Sequence, residues 1–412
     1  MIGDQRTEAA GDIETAGSTR LAGNTDTAGS TELAGNTETA GNTETSRDKG
    51  RAASMHVDTD RNENSPPAAP APGSVDGRVS ERTATAPSTG PSTGPWARPF
   101  TEGARLVGLG AYRPSGVLTS AELGLRFGKA EQWVRERTGM VFRRLAGQHE
   151  TVASMAEAAV LDALAASQVP PDQVDLLILA SCSVAPAAED PAATVVASCG
   201  LPNAAAMNLN AACSGFCYAL ALAADAVRAG SARYVVVAAA EKMTAWVDPL
   251  DLGTSIIFGD GAGAAVVGPA GAADIGPVAW GSDGSKSSLI HIDEATGHMV
   301  MEGQAVFRWA TTAVHPVALA ACAKAGVRPE DLSALVPHQA NMRIVDSLAA
   351  KIGATRAVVA RDGAEGGNTS AASIPLALHR LIRERAVRPG DLALLIGFGA
   401  GLSFAAQVIR VP

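Results

Sequence analysis

The chain predicts an α/β fold made of two similar halves behind a disordered N-terminal tail, and three observations carry that prediction. Strand-like apolar runs alternate with longer Ala-rich segments of helical period, the order expected of βαβ units and a parallel or mixed sheet covered on both faces. A comparable set begins again after Pro277. All eight Phe, five Trp, three Tyr and five Cys lie at or beyond Trp96, so the segment before it has little with which to build a core.

The elements are taken in chain order. Between about residues 17 and 46 a six-residue unit recurs as AGSTRL, AGNTDT, AGSTEL, AGNTET and AGNTET. It is too short for a stacked supersecondary repeat, and a hexapeptide β-helix would need a recurring branched aliphatic that the unit lacks. Residues 64–95 read as a Pro/Gly/Ser/Thr linker. Residues 1–98 are therefore expected to be a disordered low-complexity tail and linker, and a genuine start near Met55 is compatible with this. In the first half, residues 99–273, RLVGLGAYRP is a strand, TVASMAEAAVLDALAASQ a helix, VDLLILASCS a strand, residues 214–230 a helix and YVVVAAA a strand. In the second, residues 274–412, FRWATTAVHPVALAACAKAG is a helix, SALVPHQ a strand, and ANMRIVDSLAAKIG and SIPLALHRLIRER are helices. DLALLIGFG and LSFAAQVIR are the last strands.

Composition narrows the function. With 33 Lys+Arg against 42 Asp+Glu the net charge is -9, which argues against a nucleic-acid partner. An odd cysteine count without dense spacing fits a reducing compartment, and the start lacks the cationic and apolar regions of a secretory signal. No apolar stretch of about 18 residues is present to span a membrane. A soluble, cytoplasmic protein is expected.

Four segments carry candidate chemistry. In NLNAACSGFCYALALAADAVRAG a small-residue approach delivers Cys213 to the start of an apolar helix, where free N–H groups and the helix dipole would lower a thiol pKa. The plain alternative is a small buried residue. Cys217 follows one turn later, and C-x₃-C without a second cluster reads as packing, not as a metal pair. In LVPHQANMRIVDSL, His338 ends an apolar strand, the place where α/β sheets open their crevices. His56, His149, His291, His298, His315 and His379 lack that setting and read as surface or structural residues. In EGGNTSAASIPLAL, Asn368 stands before a helix as a donor or as a cap. GFGAGLSF allows a close backbone approach to a ligand, or makes a tight turn. FGDGAG lacks both the P-loop Lys-Ser/Thr and a complete dinucleotide fingerprint, and reads as strand-turn packing.

AACSGF with Cys213, VPHQAN with His338, GNTSAAS with Asn368 and the GFGAG loop, in this order, resemble the β-ketoacyl-acyl carrier protein synthase III family. ERTGM and FGDGAGAAVV are similar to that family too. The likeness covers roughly residues 104–412. It implies a thiolase fold, two similar halves in a five-layer αβαβα arrangement, usually as a homodimer. It also implies that Cys213 takes an acyl group from a CoA or carrier thioester, and that His338 and Asn368 serve the decarboxylation of malonyl on an acyl carrier protein. The Cys213 amide and an amide of the Gly399, Ala400 and Gly401 loop would hold the oxyanion. Trp133, Arg137 and Thr138 would contact CoA, Arg343 would contact the carrier protein, and Phe398 and Asp190 would line the acyl pocket. No metal, flavin or nicotinamide is required.

Two departures bear on specificity. DLGT puts Leu252 where the family often has Arg, removing one possible partner of the CoA adenine, and Asp190 precedes Pro191 where the family commonly has a Phe that reaches into the neighbouring subunit's acyl pocket. An acid near an acyl tunnel is costly unless hydrated or paired, so an unusual, bulkier or polar primer, or an acyl group that arrives on a carrier protein, is expected. With the Ala/Arg-rich, Lys-poor composition, this hints at specialised polyketide or lipid synthesis. The alternatives are acyl transfer to a hydroxyl, amine or carrier without decarboxylation, a non-catalytic partner subunit, and a thiolase proper, which would need a second C-terminal cysteine.

Overall fold

The computed structural model describes residues 102–185 and 190–412, so the expectation of a disordered tail over 1–98 lies outside the described residues. The strands of the two main sheets are, in chain order, β1 (Gly103–Tyr112), β2 (Val174–Ala180), β3 (Ala205–Leu209), β4 (Tyr234–Lys242) and β5 (Asp260–Ala270). The second set is β6 (Ala279–Ser282), β7 (Ala334–Pro337), β8 (Val358–Val359), β9 (Leu392–Phe398) and β10 (Ser403–Arg410). The first sheet runs β1-β5-β4-β2-β3 and the second β6-β10-β9-β7-β8. In each, the first two pairings are antiparallel and the last two parallel. The two sheets therefore share one topology, strand for strand.

Seven helices, α1 (Glu131–Thr138), α2 (Val152–Ser167), α3 (Pro191–Ser198), α4 (Gly215–Arg228), α5 (Gly303–Lys324), α6 (Met342–Ile352) and α7 (Ser373–Arg383), cover the sheets or carry candidate residues. Buried side chains of α4 and α7 pack with β2, β4, β7, β9 and β10 in one core, which puts these two helices between the sheets. α2 and α3 cover the outer face of the first sheet, and α5 and α6 that of the second. Five layers result, as αβαβα.

The sequence explains who goes where. A helix between two sheets must be apolar on nearly every side, and α4 buries Gly215, Phe216, Cys217, Ala219, Leu220, Ala221, Ala223, Ala224 and Val227. By contrast α2 buries Val152, Met155, Ala156, Ala159, Val160, Ala163 and Leu164, a stripe at i, i+3, i+4 spacing. Thr151 caps its N-terminus. A Cβ on Gly110 would stand 2.2 Å from the Ala159 carbonyl oxygen, so only glycine lets α2 lie so close on β1. Two small hairpin-like sheets, Gly116–Thr119 with Phe142–Leu145 and Ile290–Ile292 with Met299–Met301, were not expected from the sequence. No described helix is long and apolar enough to cross a membrane.

Candidate active site

Matching positions in the two halves build the site. After β3, Asn210 Oδ1 accepts the Ala212 N–H at 3.1 Å, and after β8, Asn368 Oδ1 accepts the Ser370 N–H at 2.9 Å. Each bond opens a short 3₁₀ turn, Ala212–Ser214 and Ser370–Ala372, which leads into α4 and α7 respectively. Ala212 and Ser370 both take left-handed backbone, with φ of 46° and 47°. That conformation costs a non-glycine residue about 1 kcal/mol or more and is held by its surroundings. Cys213 thus stands where the second half has Ala371.

The C-terminal loop closes on Cys213. A Cβ on Gly399 would stand 2.7 Å from Cys213 Cβ and 2.9 Å from its Sγ, so glycine is required there. The backbone amides of Cys213 and Ala400 both approach the thiol, which singles out Ala400 within the 399–401 loop. The expectation of a lowered thiol pKa is corrected. Burial pushes Cys213 up to about 12; the Ser370 hydroxyl opposes the rise, the nearby Glu241 carboxylate adds a smaller part to it, and the two amides oppose it in turn. Desolvation outweighs the helix terminus because protein atoms crowd the thiol, although the half-buried residue still lines the cavity. Cys213 is therefore a thiol at rest. Its alkylation by iodoacetamide is expected to quicken about tenfold per pH unit from pH 7 to 9, with no plateau below about pH 10. A plateau near pH 7 in the peptide-mapped rate would contradict this.

His338, just past β7, is buried. Its Nδ1 lies 2.7 Å from Ser373 Oγ, and its ring meets Phe398 edge to face at 5.2 Å. Burial pulls its pKa down to about 3, with the Ser370 backbone acting against it. The ring is neutral at pH 7. Asn368 is 5% exposed, and with Oδ1 taken by Ser370 its Nδ2 is the free end. Its part in capping is confined to the 3₁₀ turn, since Ala372 is the N-cap of α7.

Cys213, His338, Asn368, Phe398, Gly399 and Ala400 line one cavity of about 100 Å³. Its far wall is apolar, with Met243, Phe258, Ile290, Met299 and Met301. A larger groove of about 920 Å³ passes Lys242, Trp246 and Pro191 and contains none of the three polar residues, so the chemistry belongs to the smaller space.

The predicted CoA and carrier residues divide. Trp133 is half-buried, with Arg137 at 5.0 Å and Lys129 at 5.5 Å from its ring centre. Leu252 packs in the same small cluster as Trp133. Arg343 is exposed in the first turn of α6, its guanidinium over Phe307, and Asn341 Nδ2 ties this turn to the Arg137 carbonyl at 3.0 Å. Thr138 is corrected as a CoA contact. It is 1% exposed, and its hydroxyl donates to the Val134 carbonyl and accepts from the buried Arg143 and from the Met140 N–H.

Within its own chain Asp190 lies apart from this cavity. It is exposed and caps α3, accepting the Ala193 N–H at 3.1 Å and Asn208 Nδ2 at 2.7 Å. These bonds hold its carboxyl below its ordinary range. Asp before Pro is a good helix start, so within its own chain this acid is hydrated and paired. Cys217 is fully buried against the backbone of Gly397, and among the described residues no group of three or more His, Cys, Asp or Glu could hold a metal ion. Asp260 of FGDGAG accepts from Thr244 and the Ala146 N–H inside the fold.

Three residues beside the cavity escaped the sequence reading: Cys182, Ser370 and Glu241. The visible signals were a cysteine next to last in VDLLILASCS, a serine two after Asn368, and a lone acid ending YVVVAAAE.

Comparison with known proteins agrees with this geometry. Residues 207–284 match the family model for 3-oxoacyl-[acyl-carrier-protein (ACP)] synthase III, and residues 322–411 match the model for its C terminal. β-Ketoacyl-[acyl-carrier-protein] synthase III 4 of Streptomyces coelicolor is 46% identical over 314 residues, 76% of this chain and 99% of that protein. β-Ketoacyl-[acyl-carrier-protein] synthase III of Mycobacteroides abscessus is 42% identical, over 74% of this chain and 94% of its own. The crystal structure of the priming β-ketosynthase from the R1128 polyketide biosynthetic pathway superposes with a TM-score of 0.74 at 41% identity, covering 76% of this chain and 98% of that one. With relatives this similar matched over nearly their whole length, and with cysteine, histidine and asparagine gathered in one cavity between the repeated halves, the chain belongs to the β-ketoacyl-[acyl-carrier-protein] synthase III family.

Proposed function

We propose that Cys213, His338 and Asn368 divide between them the two half-reactions of a synthase that starts fatty acid or polyketide chains. The observation that carries this reading is their convergence on one cavity with the amides of Cys213 and Ala400 at the thiol. In the first half-reaction Cys213 Sγ bonds to the carbonyl carbon of an acyl-CoA, the two amides take the oxyanion, and the CoA thiol leaves with a proton. In the second, the bond between malonyl carbon and its carboxylate breaks, CO₂ departs, and the electron pair passes into a thioester enolate. Its carbon then attacks the acyl group on Cys213, the carbon–sulfur bond breaks, and the expelled thiolate takes a proton from solvent.

The enolate oxygen needs donors. His338 Nδ1 and Ser373 Oγ share a hydrogen bond at 2.7 Å, and in the tautomer where the hydroxyl is its donor Nε2 carries the N–H of the neutral ring. Asn368 Nδ2 is the second donor. Trp133, Arg137 and Arg343 suit the CoA and the carrier phosphopantetheine at the entrance.

The apolar space favours a short primer. Since about 150 Å³ holds a six-carbon ring, about 100 Å³ suits an acyl chain of about four carbons, and the Met243, Met299 and Met301 thioethers adapt to its shape. β3 is an open sheet edge exposed along most of its length, with Met207 outward, and pairing with a second copy would cover it. Sedimentation as a monomer would remove that part of the reading. The reaction belongs in the cytoplasm, with acyl-CoA and a carrier protein as its partners.

Intact-protein mass spectrometry with a panel of acyl-CoAs, followed by a malonyl-carrier chase, tests the function. A short acyl mass on the protein that leaves as a 3-oxoacyl product is expected. An acyl mass that survives the chase and leaves only with a hydroxyl or amine acceptor would overturn the condensing role.

A further inference from the structure

A buried carboxylate that these steps do not use stands beside the cavity. Glu241, next to last in β4, is fully buried, and its side chain joins three segments. From the loop after β2 it accepts the Cys182 N–H at 3.1 Å, Ser181 Oγ at 3.1 Å and Ser183 Oγ at 2.5 Å. The Cys182 thiol is 3.4 Å away. From the turn after Asn368 it accepts the Ala371 N–H at 3.3 Å and the Ser370 hydroxyl.

Those donors stand in for a cation. Lys242, next in the chain, sends its ammonium away to the carbonyls of Gly147 and Glu150. A buried carboxylate without a counter-ion is tolerated only when several fixed donors converge on it, so this group is held for a reason other than an ion pair. The repeat of the fold sharpens the point. The Cys213 amide faces the thiol, whereas its counterpart in the second half, the Ala371 amide, is bonded to Glu241. Ser370 then links the carboxylate to the nucleophile, since it lies 3.2 Å from Cys182 Sγ and also reaches the Cys213 thiol.

We propose that Glu241 is a positioning residue acting on both reacting groups: it pins the 368–371 turn so that the Asn368 amide is aimed, and it presents a fixed negative charge to Cys213 beside Ser370. This rests on the synthase reading for Asn368, whereas the part concerning Cys213 stands without it. The titratable groups facing Glu241 among the described residues are Cys182 and Cys213. Burial raises Glu241 itself, and its donors oppose the rise.

Glu241→Gln keeps the shape and removes the charge, and Ser370→Ala removes only the linking hydroxyl. In full-length Glu241→Gln, Cys213 is expected to react with iodoacetamide about tenfold faster at pH 8, because a charge opposing the thiolate is gone, while decarboxylation of malonyl-carrier falls at least about tenfold. Ser370→Ala is expected to lower decarboxylation by at least about threefold and to leave the thermal midpoint near that of the parent. A merely structural role would slow both reactions together. An unmoved alkylation profile in a folded Glu241→Gln protein, or undiminished decarboxylation in both variants, overturns the proposal. If no acyl donor labels Cys213 the synthase reading fails, and the alkylation profile still judges the charge of Glu241.

Discussion

Replacing Cys213 with alanine is expected to abolish acyl-enzyme formation and to lower overall turnover by a factor on the order of 10⁴ to 10⁶, the scale seen when a nucleophile is removed. Cys213 alone among the described thiols has its own amide and that of Ala400 at the sulfur. Cys182 lines the same cavity, but its thiol is tied to Glu241 and Ser370 and burial pushes it well up. It is therefore no substitute nucleophile. Decarboxylation of malonyl-carrier should persist in Cys213→Ala, because His338 and Asn368 remain. Intact-mass analysis checks the first part and CO₂ release the second. An undiminished acyl adduct in Cys213→Ala, mapped to Cys182 or elsewhere, would refute the assignment.

Asn368 carries the other large effect. Removing one donor to a developing oxyanion costs about 10²- to 10³-fold, so Asn368→Ala should lose that much decarboxylation while self-acylation stays within a few fold. Alanine also gives up the bond to the Ser370 N–H, and Asn368→Asp keeps an acceptor there while lacking the amide N–H. The two variants should behave alike toward malonyl-carrier. Equal loss of both half-reactions in Asn368→Asp would contradict the division of roles, and a loss confined to alanine would move the effect from the amide to the turn.

Much of this site could be read from the linear chain, because each part rests on a local pattern. Cys213 opens an apolar helix after a small-residue approach, His338 closes an apolar strand, and Asn368 precedes a helix after a glycine pair. Even the repeat has a sequence trace: Asn210 stands three before Cys213, and Asn368 three before Ala371. Other contacts depend on partners beyond the local pattern. The Pro after Asp190 already favours a helix cap, and Asn208 of β3 completes the pairing. Thr138, which the resemblance assigns to CoA, has its hydroxyl taken up by Val134, Met140 and the side chain of Arg143.

By itself the sequence determined the αβ alternation, its recurrence after Pro277 and the order of the reacting residues, since periodicity and turn chemistry act over a few residues. Only the tertiary structure decided the electrostatics. The helix start at Cys213 argued for a thiolate, whereas closure by the C-terminal loop and both sheets buries the sulfur and keeps its proton. Ser370 and Cys182 are 188 residues apart in the chain and 3.2 Å apart in space. Desolvation and shared hydrogen bonds depend on such distant segments meeting, which no local pattern encodes.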